Sequence, residues 1–291
     1  MYLCRFSLTE GGARLGLVRD GAVYDLTGRW PTLAALLAWS AGRADLAGDL
    51  ATQLDGAEPV AQLAQLDGVL CPTDLQEVWA AGVTYERSKV AREEESAGSG
   101  IYDRVYAAAR PEIFFKATPS RTVGPGEPVA VRADSGWNVP EPELALVVNQ
   151  ALELVGFTIG NDMSSRDIEG ENLVYLPQAK MYGRCCALGP LIALRGTLPD
   201  PTNLTIRLRI ERDGAEIFAG ETSTRKIVRP YEELISYLGR DNLFPDGVVL
   251  LTGTGIVPPD DVTLEAGDEV TIAIEGIGEL RNPVVRGAGG K

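Results

Sequence analysis

Histidine is absent from all 291 residues. That excludes Ser-His-Asp and Cys-His machinery, imidazole general bases and His-ligated zinc. Acid–base work must then fall to Glu, Asp, Lys, Tyr or water. Cysteine is scarce: Cys4, Cys71, Cys185 and Cys186 lack C-x-x-C spacing and read as reduced thiols of a cytoplasmic protein. No apolar run approaches the length of a membrane helix, and residues 1–7 lack the basic start and apolar stretch of a secretory signal. Phosphate-cradling loops are missing as well. Gly124-Pro125-Gly126 and Gly253-Thr254-Gly255 are too short for a dinucleotide or Walker loop, and no G-x-S-x-G occurs. Positive charge is in deficit, with 27 Lys and Arg against 41 Asp and Glu. The net charge of −14 disfavours nucleic acid and anionic membrane as partners, and an anionic substrate would need its own cation or a local basic cluster.

What is present is an ordinary globular composition, 45% hydrophobic, with enough glycine (33) and proline (18) for many short strands and turns. Helices are predicted at 32–39, at 43–54 and, opened by Pro230, at 231–238. Strands are predicted at 78–83, 111–116, 144–148, 154–159, 188–194, 204–211, 215–219, 248–252, 269–274 and 279–285. A charged segment, 84–95, reads as helical, 96–100 as either a lid hinge or a plain surface loop, and 102–109 as a helical patch. The pattern is α+β and mostly β, a mixed sandwich or roll, with a small N-terminal domain at 1–70 and a larger one at 71–291.

Chemistry concentrates around Pro140-Glu141-Pro142-Glu143. Pro142 biases Glu141 to an extended backbone, so Glu141 and Glu143 project to one side. Two parallel carboxylates repel unless a cation lies between them, and a hard divalent ion suits that gap. Taken alone, a solvated strand end is the commoner reading of E-x-E. A third carboxylate, Asp162, ends the next apolar run and makes a three-oxygen site. Lys180 lies among apolar and aromatic neighbours, as a buried ammonium with a partner or a snorkelling surface lysine would. Glu112, before Ile-Phe-Phe, is either a carboxyl of raised pKa able to shuttle protons or a plain surface glutamate. Arg87, Lys116 and Thr254 are further candidates near the site.

These phrases together resemble the fumarylacetoacetate hydrolase superfamily over about 72–285. They are Pro-Glu-Pro-Glu-Leu-Ala, Gly-Phe-Thr-Ile-Gly-Asn-Asp-Met-Ser-Ser-Arg-Asp, Phe-Phe-Lys-Ala-Thr-Pro-Ser-Arg-Thr-Val-Gly-Pro-Gly and Leu-Leu-Thr-Gly-Thr-Gly. The resemblance implies a mixed β-sandwich roll and a homodimer or homotetramer. It also implies a Mg²⁺ or Mn²⁺ ion on Glu141, Glu143 and Asp162, and a 2-keto acid chelating that ion. Lys180 matches the family's lysine beside the metal, and Thr254 the threonine that meets the substrate carboxylate. Family hydrolases carry Asn-Tyr-x-x-His, whereas here the stretch is Thr84-Tyr85-Glu86-Arg87-Ser88, with Ser88 where the histidine would stand. This is similar instead to a branch that dehydrates 2-keto-3-deoxy pentonates, with Glu112 as acid/base and Arg87, Ser88, Lys116 and Thr254 about the substrate. Dehydration of 2-keto-3-deoxy-D-arabinonate (equally, the D-xylonate) to 2,5-dioxopentanoate, a step of non-phosphorylative pentose catabolism, is the activity it implies. A C–C hydrolase or oxaloacetate decarboxylase on the same metal, and a non-catalytic 2-keto acid binder, are the alternatives.

Overall fold

A computed structural model describes residues 1–8, 12–66, 68–85 and 105–287. The chain opens with an antiparallel meander, β1 (Tyr2–Ser7), β2 (Arg14–Arg19) and β3 (Ala22–Asp25). The two-residue β2–β3 turn puts Asp20 and Gly21 at φ of 52° and 80°, the left-handed pair that matches strand twist. Helix α1 (Leu33–Ser40) is capped by Thr32 and α2 (Leu46–Thr52) by Asp45, whose side chain accepts from Gly48 N–H. That second cap is why the helix starts at Leu46, not at 43. Short strands β4 (Ala61–Gln62) and β5 (Gly68–Leu70) follow.

Next come β6 (Glu77–Gly82), β7 (Glu112–Ala117), β8 (Thr122–Val123), β9 (Val129–Val131) and β10 (Asn138–Val139). Strands β11 (Pro142–Val148), β12 (Leu154–Asp162) and β13 (Ser164–Ser165) lead into two helices, α3 (Arg166–Glu171) and α4 (Leu176–Lys180). After β14 (Cys186–Leu194), β15 (Thr205–Arg212) and β16 (Ala215–Ser223) comes α5 (Tyr231–Leu238). Strands β17 (Val248–Leu251), β18 (Glu269–Ile274) and β19 (Gly278–Arg286) complete the described chain. Of the expected helix over 84–95, Thr84 and Tyr85 are described and are not helical, Tyr85 forming an isolated β-bridge with Ile227. The rest of that helix, the 96–100 stretch and the start of the 102–109 patch lie outside the described residues.

Among the described residues the large sheet runs β4-β3-β2-β1-β14-β12-β11-β17-β6-β7, with β5 on β1 and β8 on β14. A second sheet runs β16-β15-β18-β19-β9. Pairings are mostly antiparallel, but β17–β6, β14–β8 and β19–β9 are parallel, so the fold is mixed and mostly β. Position 70/71 falls between β5 and β6, two strands of the same sheet. Alternate residues of β11 serve different cores. Leu144, Leu146 and Val148 meet Ile206, Leu208, Val270 and Ile272 of the second sheet. Ala145 and Val147 join Val249 and Leu251 in a core that also contains Leu3, Leu33, Leu36 and Leu37. Coverage of both faces explains why all seven residues of β11 are buried and why 144–148 form a continuous apolar run. Among the described residues no helix is long and apolar enough to cross a membrane.

Candidate active site

The register of β11 on β12 assembles the carboxylates. Pro142 pairs with Asn161 and Glu143 with Gly160, and Asp162 N–H donates to Glu141 O at 2.9 Å. Glu143 falls on the face of Ala145 and Val147, and Asp162 on the face of Gly160, whose missing Cβ leaves room for Leu251. Oxygens of Glu141, Glu143 and Asp162 therefore converge to within 4.8 Å of one another. The three side chains lie almost wholly out of solvent, at 4%, 2% and 1% exposure.

Cations surround this trio. Lys180, the last residue of α4 and fully buried, donates from Nζ to Glu141 Oε2 (2.5 Å), Ser164 Oγ (2.6 Å) and Asp162 Oδ2 (3.1 Å). Its ammonium also stands 5.8 Å from the centre of the Phe114 ring. Lys116, equally buried, meets the other Asp162 oxygen, Oδ1, at 2.5 Å and donates to Met163 O (2.8 Å) and Lys180 O (2.5 Å). Its ammonium is thus engaged by one carboxylate and two backbone carbonyls of the protein. Burial, the largest influence, opposes the Lys116 charge, but Asp162, with Cys185 and Cys186 adding to it, holds the ammonium above its usual pKa. The guanidinium of Arg166 lies 3.5 Å from Glu141 Oε1 and 3.5 Å from Glu169 Oε2.

Glu143 sits differently. Gly253 N–H donates to its Oε2 at 2.5 Å. Burial, then Asp162 and Glu141 beside it, push its carboxyl well above the usual carboxylate range, against the pull of Lys180. In this described cluster four carboxylates (Glu141, Glu143, Asp162, Glu169) face three cations (Lys116, Lys180, Arg166), a buried excess of one negative charge. The donor set fits a hard divalent cation, being all carboxylate oxygen and crowded with like charge. Such an ion and one singly charged anion would together bring the cluster to neutrality.

The remaining predicted residues divide. Glu112 opens β7 opposite Gly82, on the same face as Phe114. Thr254 is buried after β17, and its hydroxyl exchanges contacts with its own loop at Ile256 O and Ile256 N (3.2 Å each). Arg87 and Ser88 lie outside the described residues. Three site residues went unassigned from sequence: Ser164, Arg166 and Glu169. The first two belong to the Asp162-Met163-Ser164-Ser165-Arg166 run, whose polar residues on leaving a buried strand were the available signal.

Fold and site together define a β-sandwich roll with a buried trio of carboxylates that could hold a cation. The chain belongs to the fumarylacetoacetate hydrolase family: the family described as fumarylacetoacetate (FAA) hydrolase, C-terminal, matches residues 77–285. A Haloferax volcanii protein described as a "probable 2-keto-3-deoxyxylonate dehydratase" is 49% identical over 279 residues, 94% of this chain and 96% of that protein. A Saccharolobus solfataricus 2-dehydro-3-deoxy-D-arabinonate dehydratase is 49% identical over 217 residues, 73% of each chain. The solved structure of a 2-keto-3-deoxy-D-arabinonate dehydratase complexed with magnesium and 2,5-dioxopentanoate superposes with a TM-score of 0.81. It is 39% identical and covers 98% of this chain and 99% of that one.

Proposed function

We propose that this chain is a Mg²⁺-dependent dehydratase that converts 2-keto-3-deoxy-D-arabinonate to 2,5-dioxopentanoate and water. The observation that carries the reading is the near full-length likeness to a dehydratase solved with magnesium and that dioxo acid. The charge balance of the site supports it, since a divalent cation and a monoanionic keto acid complete the buried cluster. The lack of histidine supports elimination over hydrolysis, because no imidazole is there to activate water.

Glu141, Glu143 and Asp162 would hold the ion, with Mn²⁺ as the alternative metal. When bound, such an ion draws electron density from the keto group and makes the C3 proton removable. Lys180 keeps a positive charge against Glu141 and Asp162, beside the oxygen on which negative charge develops as that proton leaves. Glu112 takes the C3 proton and gives it to the C4 hydroxyl, which departs as water. The same carboxylate then takes one carbon-bound proton from C5; that proton and the one released by the C5 hydroxyl return to C3 and C4, leaving an aldehyde at C5. Thr254, Arg87 and Ser88 would orient the substrate, and Lys116 acts through Asp162. The reading includes assembly as a homodimer or homotetramer, with exposed Val174 and Leu243 available for contact, which sedimentation checks.

Purified protein with Mg²⁺ and 2-keto-3-deoxy-D-arabinonate is expected to form an aldehyde that is lost in EDTA. No aldehyde overturns the assignment, and turnover of acylpyruvates or oxaloacetate in the same assay would replace it with the hydrolase or decarboxylase reading. Binding of 2-keto acids without any turnover would instead support a binding protein.

A further inference from the structure

Between Glu143 and Glu112 the large sheet presents glycines. The registers Ala145 to Leu251 and Leu251 to Ala80, carried two residues on, align Glu143 of β11, Gly253 beyond β17 and Gly82 of β6. Gly82 in turn pairs with Glu112 of β7. Gly82 follows Val78 and Ala80 along the face that carries the second core, the face of Phe114 and hence of Glu112.

The two glycines serve different ends. Gly253 has φ of +89°, and its loop needs that freedom. Gly82 does not have a positive φ, so its backbone would accept alanine. What a Cβ at Gly82 would overlap is the end of the Glu112 side chain: its three nearest atoms would be Oε2, Cδ and Cγ of that residue. The Glu112 carboxylate therefore lies over Gly82, about one strand spacing (~4.8 Å) nearer to β11 than its own backbone. We infer that Gly82 is a positioning residue, whose missing side chain seats the Glu112 carboxylate across β6 and sets its reach toward the metal-held substrate. The inference rests on Glu112 being the acid/base.

The obstacle to a methyl group at Gly82 is a flexible side-chain end and not backbone, so the fold can absorb it while the carboxylate cannot keep its place. The test compares Gly82→Ala, Glu112→Gln, Glu112→Asp and the corresponding double variants, as full-length Mg²⁺-loaded protein. For Gly82→Ala we expect kcat to fall ~10²-fold, as a displacement of about 1 Å does. KM and the calorimetric Mg²⁺ affinity should stay within about threefold, and the unfolding midpoint should not fall, since alanine suits a strand interior better than glycine. Against Glu112→Gln, Gly82→Ala should cost less than about threefold more, because the two changes disable one unit. Glu112→Asp, too short to lie over Gly82, should lose about as much kcat as Gly82→Ala, and the pair no more than either.

Full activity of Gly82→Ala beside an inactive Glu112→Gln overturns the Gly82 inference alone. So does an equal cost of Gly82→Ala in both backgrounds. Full activity of Glu112→Gln overturns the Glu112 reading, and the inference with it. Should Gly82→Ala not fold, Glu112→Asp decides: kcat within about threefold of the parent overturns the inference, and a ~10²-fold loss at unchanged Mg²⁺ affinity supports it.

Discussion

Lys116→Met separates a lysine that braces the site from one that holds substrate. Methionine keeps the length and much of the volume of the buried stem, so the change is mainly electrostatic. Removing one partner of a buried pair costs ~3–5 kcal/mol. Asp162 keeps Lys180 at 3.1 Å, which puts the pair near the low end, about 3 kcal/mol. The carbonyls of Met163 and Lys180 also lose their Nζ donor, at ~0.5–1 kcal/mol each for partly re-satisfied acceptors. A total near 4 kcal/mol corresponds to a midpoint about 6–7 °C lower for a chain of this size. Differential scanning calorimetry in chelator is the assay, with calorimetric and van't Hoff enthalpies compared to check two-state behaviour. Adding Asp162→Asn should recover about half of the loss, because a neutral amide replaces a buried carboxylate that has lost one of its two lysine partners. A midpoint within ~2 °C of the parent, joined to a raised KM, would refute the bracing role and return Lys116 to the substrate.

Glu143→Gln should lower Mg²⁺ affinity at least ~10-fold by calorimetry, yet raise the metal-free midpoint, since it removes a buried charge crowded by Asp162 and Glu141. The pH dependence follows from the same carboxyl. Its native pKa lies above the unfolded value, so its contribution to metal-free stability is complete below the unfolded pKa and is lost as pH rises through the native one. Proton and metal compete for it, so the rise in midpoint on adding Mg²⁺ should grow between about pH 5 and pH 8, and a rise independent of pH would contradict this. Gly253→Ala places a Cβ at φ of +89° and against Thr84 Oγ1, so a loss of ~1–3 kcal/mol in urea unfolding is expected, together with weaker Mg²⁺ binding as the Gly253 N–H leaves Glu143.

Local chemistry made much of this protein legible in its sequence. Helix α5 and strand β18 occupy the predicted 231–238 and 269–274, because Pro230 marks the start of the one and alternation marks the other. Glu141 and Glu143 share a side because period two is intrinsic to extended chain, and the missing histidine narrowed the chemistry before any fold was known. Helices α3 and α4, six and five residues long, were not legible, since so few residues display no helical period. Tertiary structure alone decided which groups meet. Asp162 joins the glutamates through the register of β12 on β11, and Lys116 reaches it from a strand at the far edge of the sheet. Gly82 comes to seat the Glu112 carboxylate through the pairing of β6 with β7. These are contacts between residues distant in sequence, selected by strand pairing and by the cost of burying charge, and no local window records either.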